Sequence, residues 1–519
     1  MSGKGLARSA VLTSLFVGAG AALAFAATLA VSNAWGPSAA GQFFQVVALF
    51  TIATTLATFG ADTGLVRTLP ALTARGEVSG MASVLRIAVQ PALALAAAIA
   101  AVGVLLVCLP GLLELPGDVR SAVLLAAPLM VLGTGMNLAF GALRGLHRVP
   151  TFSFLQNVLL PSLRLAGVLL VVVVGGGVLS LAAAWTVPVA VVVVLALLLV
   201  RRALPVPAPG LELSPLAATG QAAPVSPRQF WSFASARGVT AVVETLLEWI
   251  DVLLVALFLG PAAAGVYGVV NRCIRMGAML DHTARMVTGP SISAALAVGN
   301  VEAARSVFTR TTTVLVAAAA PFYLTLMVFG PAVLSLFGDG FAGGYPALLV
   351  ISAAMLIAVS AGGVQSLLLM AGRSRWQLMN KSAALLVALG LNLWLIPQWG
   401  LVGAATAWAA SVLTDVGLAL FQSVRLLGIA PRWRVVGGVL LLAVLISGGA
   451  GLLIRVLVGA GVSGLLVHAT LLTVVGIVGA AVLRRRVRRA SARADAGPLS
   501  PEEATAEAGA SLAGTNLRR

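Results

Sequence analysis

Seven ionisable residues interrupt long apolar runs in this 519-residue chain: Arg164, Glu244, Glu248, Asp251, Arg272, Arg275 and Asp415. A charge at the centre of a hydrocarbon layer costs about 2.5–3.5 kcal/mol even on a lenient insertion scale. Facing lipid, the set would cost on the order of 20 kcal/mol, more than the entire stability of a typical protein. These residues must therefore face a protein interior or a water-filled cavity. Guanidinium is planar, stays charged and meets phosphate as a two-pronged donor, so Arg164, Arg272 and Arg275 suit a phosphate-bearing ligand. Glu248 and Asp251 are candidate proton or sodium sites whose occupancy biases the opening of a cavity. Three cations against four anions do not make a net positive cavity, so the phosphate reading depends on how the charges are distributed in space.

Arg237, Glu244, Glu248 and Asp251 follow one another at +7, +4 and +3, which puts them on one helical stripe under about 60° wide. The chain turns at 260–262 and returns with Asn271, Arg272 and Arg275. Counted inward from that turn, Glu248 lies about as deep as Arg275, and Asp251 near the level of Arg272. Pairing between the two helices at mid-membrane is the expectation. Such pairs could merely fasten a hairpin, but Arg164 and Asp415 arrive near the same depth from distant parts of the chain. That convergence suggests a polar chamber on an axis between two halves. Other polar residues have simpler explanations. Helix capping and topology signalling account for Asp62 and Arg67, interfacial solvation for Asp281 and His282, and an aromatic belt for Trp35, Trp399 and Trp433. Cys108 and Cys273 read as small packing residues. His147, His282 and His468 lack metal-ligand spacing, and no cofactor is called for.

The elements that must position these groups are helices. The chain is 60% hydrophobic and 9% charged, against about 25% charged in soluble domains, and its mean hydropathy is +1.05. This is the composition of an all-α, polytopic membrane protein, because only helices satisfy every backbone group within such runs. Fourteen spans are predicted, at about 9–34, 38–60, 82–112, 120–143, 151–175, 178–200, 230–259, 263–289, 308–336, 344–371, 377–396, 401–424, 434–457 and 462–483. The first apolar run is too long for a signal peptide and reads as an uncleaved span. The net charge of +17 raises the question of nucleic acid, but the basic residues fall in small groups between apolar runs rather than on one face, which excludes it. Alternate connections and the termini hold 28 of the 33 Lys and Arg, the other connections hold only Arg120 and Arg455, and three Arg lie within spans. Both termini are therefore expected in the cytoplasm of a multi-pass plasma-membrane protein.

The sequence also repeats. Trp35 to Phe43 (WGPSAAGQF) resembles Leu259 to Tyr267 (LGPAAAGVY) at an offset of 224. Gly177 to Trp185 resembles Gly400 to Trp408 at an offset of 223, as do Asn157 and Asn380. Six spans per repeat, an even number, make the two copies parallel. The expected organisation is an N-terminal lobe over 1–201, a Pro-rich cytoplasmic linker over 202–228, a C-terminal lobe over 229–426, two further spans within 427–485 and a disordered tail over 486–519.

Across about residues 5–430 the chain resembles the multidrug/oligosaccharidyl-lipid/polysaccharide exporter superfamily, and within it the polysaccharide-biosynthesis (Wzx-type) flippases. The resemblance rests on the Gly-Pro-x-x-x-Gly-x-[Phe/Tyr] segments at 36–43 and 260–267, with Asp251 before the second. Ala371-Gly372-Arg373 with Asn380, and Leu391-Asn392 to Ile396-Pro397 with Gly400 and Gly403, extend it. It implies two six-helix lobes rocking about a central cavity, and a non-enzymatic flipping of a lipid-linked oligosaccharide from inner to outer leaflet. The partners it implies are the lipid-linked sugar, membrane lipids, H+ or Na+, and polysaccharide polymerase machinery. The alternative is an ion-coupled exporter of small amphiphiles or drugs. A glycosyltransferase or ligase would need a larger outer domain than these short connections supply.

Overall fold

The computed structural model describes residues 3–109, 117–204 and 225–495, and among these every regular element is helical. The N-terminal half comprises α1 (Gly3–Thr58), α2 (Ala61–Arg75), α3 (Val78–Cys108), α4 (Gly117–Gly145), α5 (Val149–Phe154), α6 (Leu160–Val174) and α7 (Val178–Ala203). The C-terminal half comprises α8 (Pro227–Leu259), α9 (Pro261–Ala297), α10 (Val301–Ser335), α11 (Tyr345–Ser360), α12 (Val364–Met370) and α13 (Ser374–Leu426). Then follow α14 (Trp433–Ala443), α15 (Ala450–Leu457) and α16 (Val462–Asp495). The expected linker lies mostly outside the described residues, as does the tail beyond Asp495. α16 itself runs on to Asp495, into the stretch expected to be disordered from 486, because Ala and Arg are strong helix formers.

Among the described residues, ten stretches are long and apolar enough to cross a membrane. Two of them, Leu12–Thr58 and Ser374–Leu426, are bent at Gly36 and Gly400, and each accounts for two of the predicted spans. The charge-bearing α8 and α9 cover the stretches predicted at 230–259 and 263–289 and are not among the ten. The lipid-facing side chains are apolar and bare, with Val173 84% and Val456 82% exposed. In water such a surface would drive aggregation; in hydrocarbon it costs nothing. This is a multi-pass membrane protein.

The internal repeat has a physical counterpart. Gly36 (φ 71°, ψ −173°) and Gly260 (φ 84°, ψ 175°) adopt the same left-handed extended backbone, which a side chain would oppose, and each is followed by a proline that starts the next helix. The two segments then meet. A Cβ on Gly41 would overlap the carbonyl oxygen of Pro261, and a Cβ on Gly265 would overlap that of Pro37. Positions 37 and 261, and 41 and 265, are both 224 apart, so the contact is reciprocal, as a twofold relation between the halves requires. Phe44 packs on Gly268, again 224 apart. At the opposite, Arg-rich end, α1 approaches α8 equally closely: Gly60 lies against Ala234 and Gly238, and Gly238 against Phe59.

The principal core surrounds this seam, with Phe43, Phe44, Trp249, Tyr267 and Tyr323 all buried. A second core ties α1–α7 together and takes in Phe230 and Ala234 of α8. α5 and α6 are joined by a π-helical turn at Leu155–Leu159. Pro161 follows it; proline has no N–H for the carbonyl of Asn157, and its ring collides with that carbonyl in a regular helix. The widened turn relieves the clash and sets the rotation of α6, hence the direction in which Arg164 points.

Candidate substrate chamber

Three of the acids on α8 face the interior of the C-terminal half at successive depths, and each meets a different partner. Glu244 is 3.7 Å from Lys381 Nζ, which is also 3.6 Å from Asp415 on the far arm of α13. Glu248 pairs with the Arg275 guanidinium of α9, which also donates to the Glu248 carbonyl at 2.7 Å. Asp251 is buried; its carboxylate accepts from Asn392 at 2.7 Å and from the Tyr267 hydroxyl at 3.3 Å. The expected Glu248–Arg275 pair is present. The expected proximity of Asp251 to Arg272 does not become a pair, because Asn392 and Tyr267 satisfy the carboxylate without a cation. Arg237, on the same stripe, is exposed.

Glu244, Glu248, Asn271, Arg275, Lys381 and Asp415 line a cavity of about 350 Å³ between α8, α9 and α13, with Trp408 and Ser411 on its wall. This cavity lies among helices of the C-terminal half, whereas the chamber expected from the sequence lies on the axis between the halves. The α8 stripe turns toward Lys381 and Asp415, although Lys381 is one of the 28 basic residues that the sequence groups with the alternate connections. Its side chain is only 18% exposed. Its spacing of eleven from Asn392, three helical turns on one face, was the available signal.

Charges do meet across the halves at one place. Arg164 donates from Nε to the Trp185 carbonyl at 3.0 Å and lies 4.0 Å from the centre of the Trp185 ring. It feels the like charge of Arg272 on α9. Arg272 in turn sits 5.2 Å from the Trp249 ring centre and 6.0 Å from that of Phe44. Neither arginine has a carboxylate within ion-pair distance among the described residues. The four acids are occupied elsewhere, which leaves two half-buried guanidiniums of opposite halves turned on aromatic faces with donors to spare.

In the N-terminal half, Asp62 forms an ion pair with Arg144 at 2.8 Å rather than capping α2, whose N-cap Gly60 receives no side-chain bond. With Thr55, Thr58, Asn137 and Gln156 the pair lines a cavity of about 300 Å³. The side chains of Asp281 and His282 lie outside the described residues. Cys108 and Cys273 are free thiols, and no group of three metal-ligating side chains occurs among the described residues.

The Glu248–Arg275 contact can be tested by a double-mutant cycle on the purified protein. Both side chains keep about a third or more of their exposure (45% and 32%), so the coupling is expected near 1 kcal/mol rather than the several of a fully buried pair. Arg275→Ala alone should lower the thermal midpoint more than Glu248→Gln with Arg275→Ala together. Strictly additive effects would mean the two do not meet.

Residues 6–296 match the profile of a family described as polysaccharide biosynthesis protein. No curated protein sequence matches the chain. Among solved structures, the lipid II flippase MurJ in an inward closed conformation superposes with a TM-score of 0.65 at 10% identity, over 92% of this chain and 99% of that one. An inward-facing multidrug resistance transporter of the MATE family, in the MOP superfamily, superposes with a TM-score of 0.60 at 15% identity, over 80% and 94%. A MOP superfamily transporter from Pyrococcus furiosus gives 0.53 at 15% identity, over 82% and 95%. At these identities the likeness is one of fold.

Proposed function

The chain belongs to the polysaccharide biosynthesis protein family, and on that premise we propose that it is a flippase carrying a lipid-linked oligosaccharide from the cytoplasmic to the outer leaflet by alternating access. The observation that carries this reading is the Arg164–Arg272 pair. Two guanidiniums from opposite halves, in mutual repulsion and without carboxylates, are the arrangement a diphosphate would neutralise, and its binding draws the halves together. The lobes of this reading are residues 1–201 and 229–426, with both termini in the cytoplasm and the plasma membrane as the site of action. The polar head crosses between the halves while the lipid tail stays in the bilayer. An apolar cavity of about 570 Å³ between α10, α14 and α16, walled by Phe322, Leu442, Ile446 and Leu472, supports a path for such a tail. That one neighbour of similar fold is a lipid II flippase supports a lipid-linked cargo.

Glu248 and Asp251 are the candidate coupling sites for H+ or Na+. Asp251 is the better placed, since the Asn392 carboxamide oxygen beside it is buried without a hydrogen-bond partner among the described residues. A sodium ion there would need the Asn392 carboxamide to turn its oxygen toward the carboxylate, whereas a proton needs only the carboxylate itself.

Purified protein in vesicles, given a fluorescent lipid-linked sugar and a cationic drug under an imposed ion gradient, tests the assignment. Movement of the lipid-linked sugar is expected. Drug movement without it would overturn the reading in favour of an ion-coupled exporter of small amphiphiles.

A further inference from the structure

The cavity between α8, α9 and α13 holds more hydrogen-bonding capacity than its ion pairs use. Lys381 stands 3.7 Å from Glu244 and 3.6 Å from Asp415, too far for hydrogen bonds, so all three groups retain free donors or acceptors. The second carboxylate oxygen of Asp415 has no partner at all among the described residues. Asn271, on the same wall, forms no side-chain hydrogen bond among the described residues either. Trp408, an aromatic side chain, lines the same cavity. Closely set donors and acceptors along an aromatic plane match a pyranose, whose hydroxyls both give and accept hydrogen bonds and whose ring has an apolar side. The volume of about 350 Å³ lies at the small end of ligand pockets, roughly 300–1,000 Å³. That admits the first sugars of a glycan rather than a long repeat.

Position and charge complete the case. The Trp249 ring has the Arg272 guanidinium 5.2 Å from its centre and the Arg275 guanidinium at the same distance. Arg272 belongs to the inter-half cationic pair and Arg275 to the cavity wall, so the two sites adjoin across one indole. The cavity's ionisable groups are three carboxylates against two cations, one net negative charge, in contrast to the carboxylate-free arginine pair beside it.

We infer that this cavity is the glycan subsite of the carrier, accepting a neutral or amino-bearing sugar next to the diphosphate and rejecting an acidic one. The inference rests on the flippase reading above. An ammonium on the sugar would complete the charge balance with Glu244 or Asp415, whereas a uronate would bring like charge against them, which costs specificity-determining energy.

The experiment uses the full chain in vesicles with three polyprenyl-diphosphate lipids bearing glucose, glucosamine with a free amine, or glucuronic acid. Glucose and glucosamine lipids are expected to flip, and the glucuronic acid lipid about tenfold more slowly or worse. The double variant Glu244→Gln, Asp415→Asn is expected to narrow that gap by raising the rate of the acidic lipid relative to the neutral one. Equal rates for all three in the unaltered protein would overturn the inference and leave the flippase reading standing, as would a gap that the double variant fails to narrow. No movement of any of the three would overturn both.

Discussion

Gly41→Ala is expected to hold the two halves apart at the end opposite the Arg-rich connections. The added methyl would occupy the place of the Pro261 carbonyl, and the facing atoms are backbone on both sides, so no side chain can rotate away. Overpacking costs about 1–3 kcal/mol where neighbours can yield, and here the upper end applies. Against a closed state of comparable energy to the open one, about 3 kcal/mol shifts their ratio roughly a hundredfold. Spin-label distances across that end should lengthen and flipping should fall by at least tenfold. Gly265→Ala should do the same, because its methyl meets Pro37 in the reciprocal contact. Gly103→Ala, where nothing lies within 4 Å, is the control. If Gly41→Ala behaved like Gly103→Ala, the seam would not be a closure at all.

Removing the inter-half arginines should separate binding from stability. Hydrogen bonds to charged groups are worth about 1.5–3 kcal/mol each, so Arg164→Ala and Arg272→Ala should each weaken retention of a diphosphate-linked lipid by roughly 10- to 100-fold. Neither residue holds a carboxylate, and the two repel one another. Losing one relieves that repulsion while giving up its ring contact with Trp185 or Trp249, so the thermal midpoint should stay within a degree or two. Arg272→Lys keeps the charge but not the planar fork and should recover only part of the affinity. A large fall in midpoint accompanying the loss of transport would mean that the pair fastens the halves instead of binding cargo.

The residues whose partners differ from sequence expectation share a physical feature: those partners are distant in the chain. Lys381 lies near Arg373 and Arg375 in sequence, which groups it with the basic connections, yet its partners in space are Glu244 and Asp415. Asp62 opens a helix, where an acid is ordinarily explained by the local backbone, but its carboxylate goes to Arg144. Asp251 shares a stripe with Glu248, yet the stripe passes different neighbours as it crosses the membrane, and Asn392 and Tyr267 reach it before Arg272 does. Helical periodicity states which residues share a face; it is silent on which helix that face will meet.

What the chain alone determined was what the contrast between water and lipid and local backbone chemistry govern: that it spans a membrane repeatedly as helices, that Gly36-Pro37 and Gly260-Pro261 are equivalent, and that its embedded charges must be enclosed. Those follow from transfer energies and local backbone chemistry, which sequence states directly. Tertiary packing decided which acid took which base, and so left Arg164 and Arg272 without a carboxylate among the described residues, because the neutralisation of one charge by another depends on distances of a few ångströms between segments far apart in the chain.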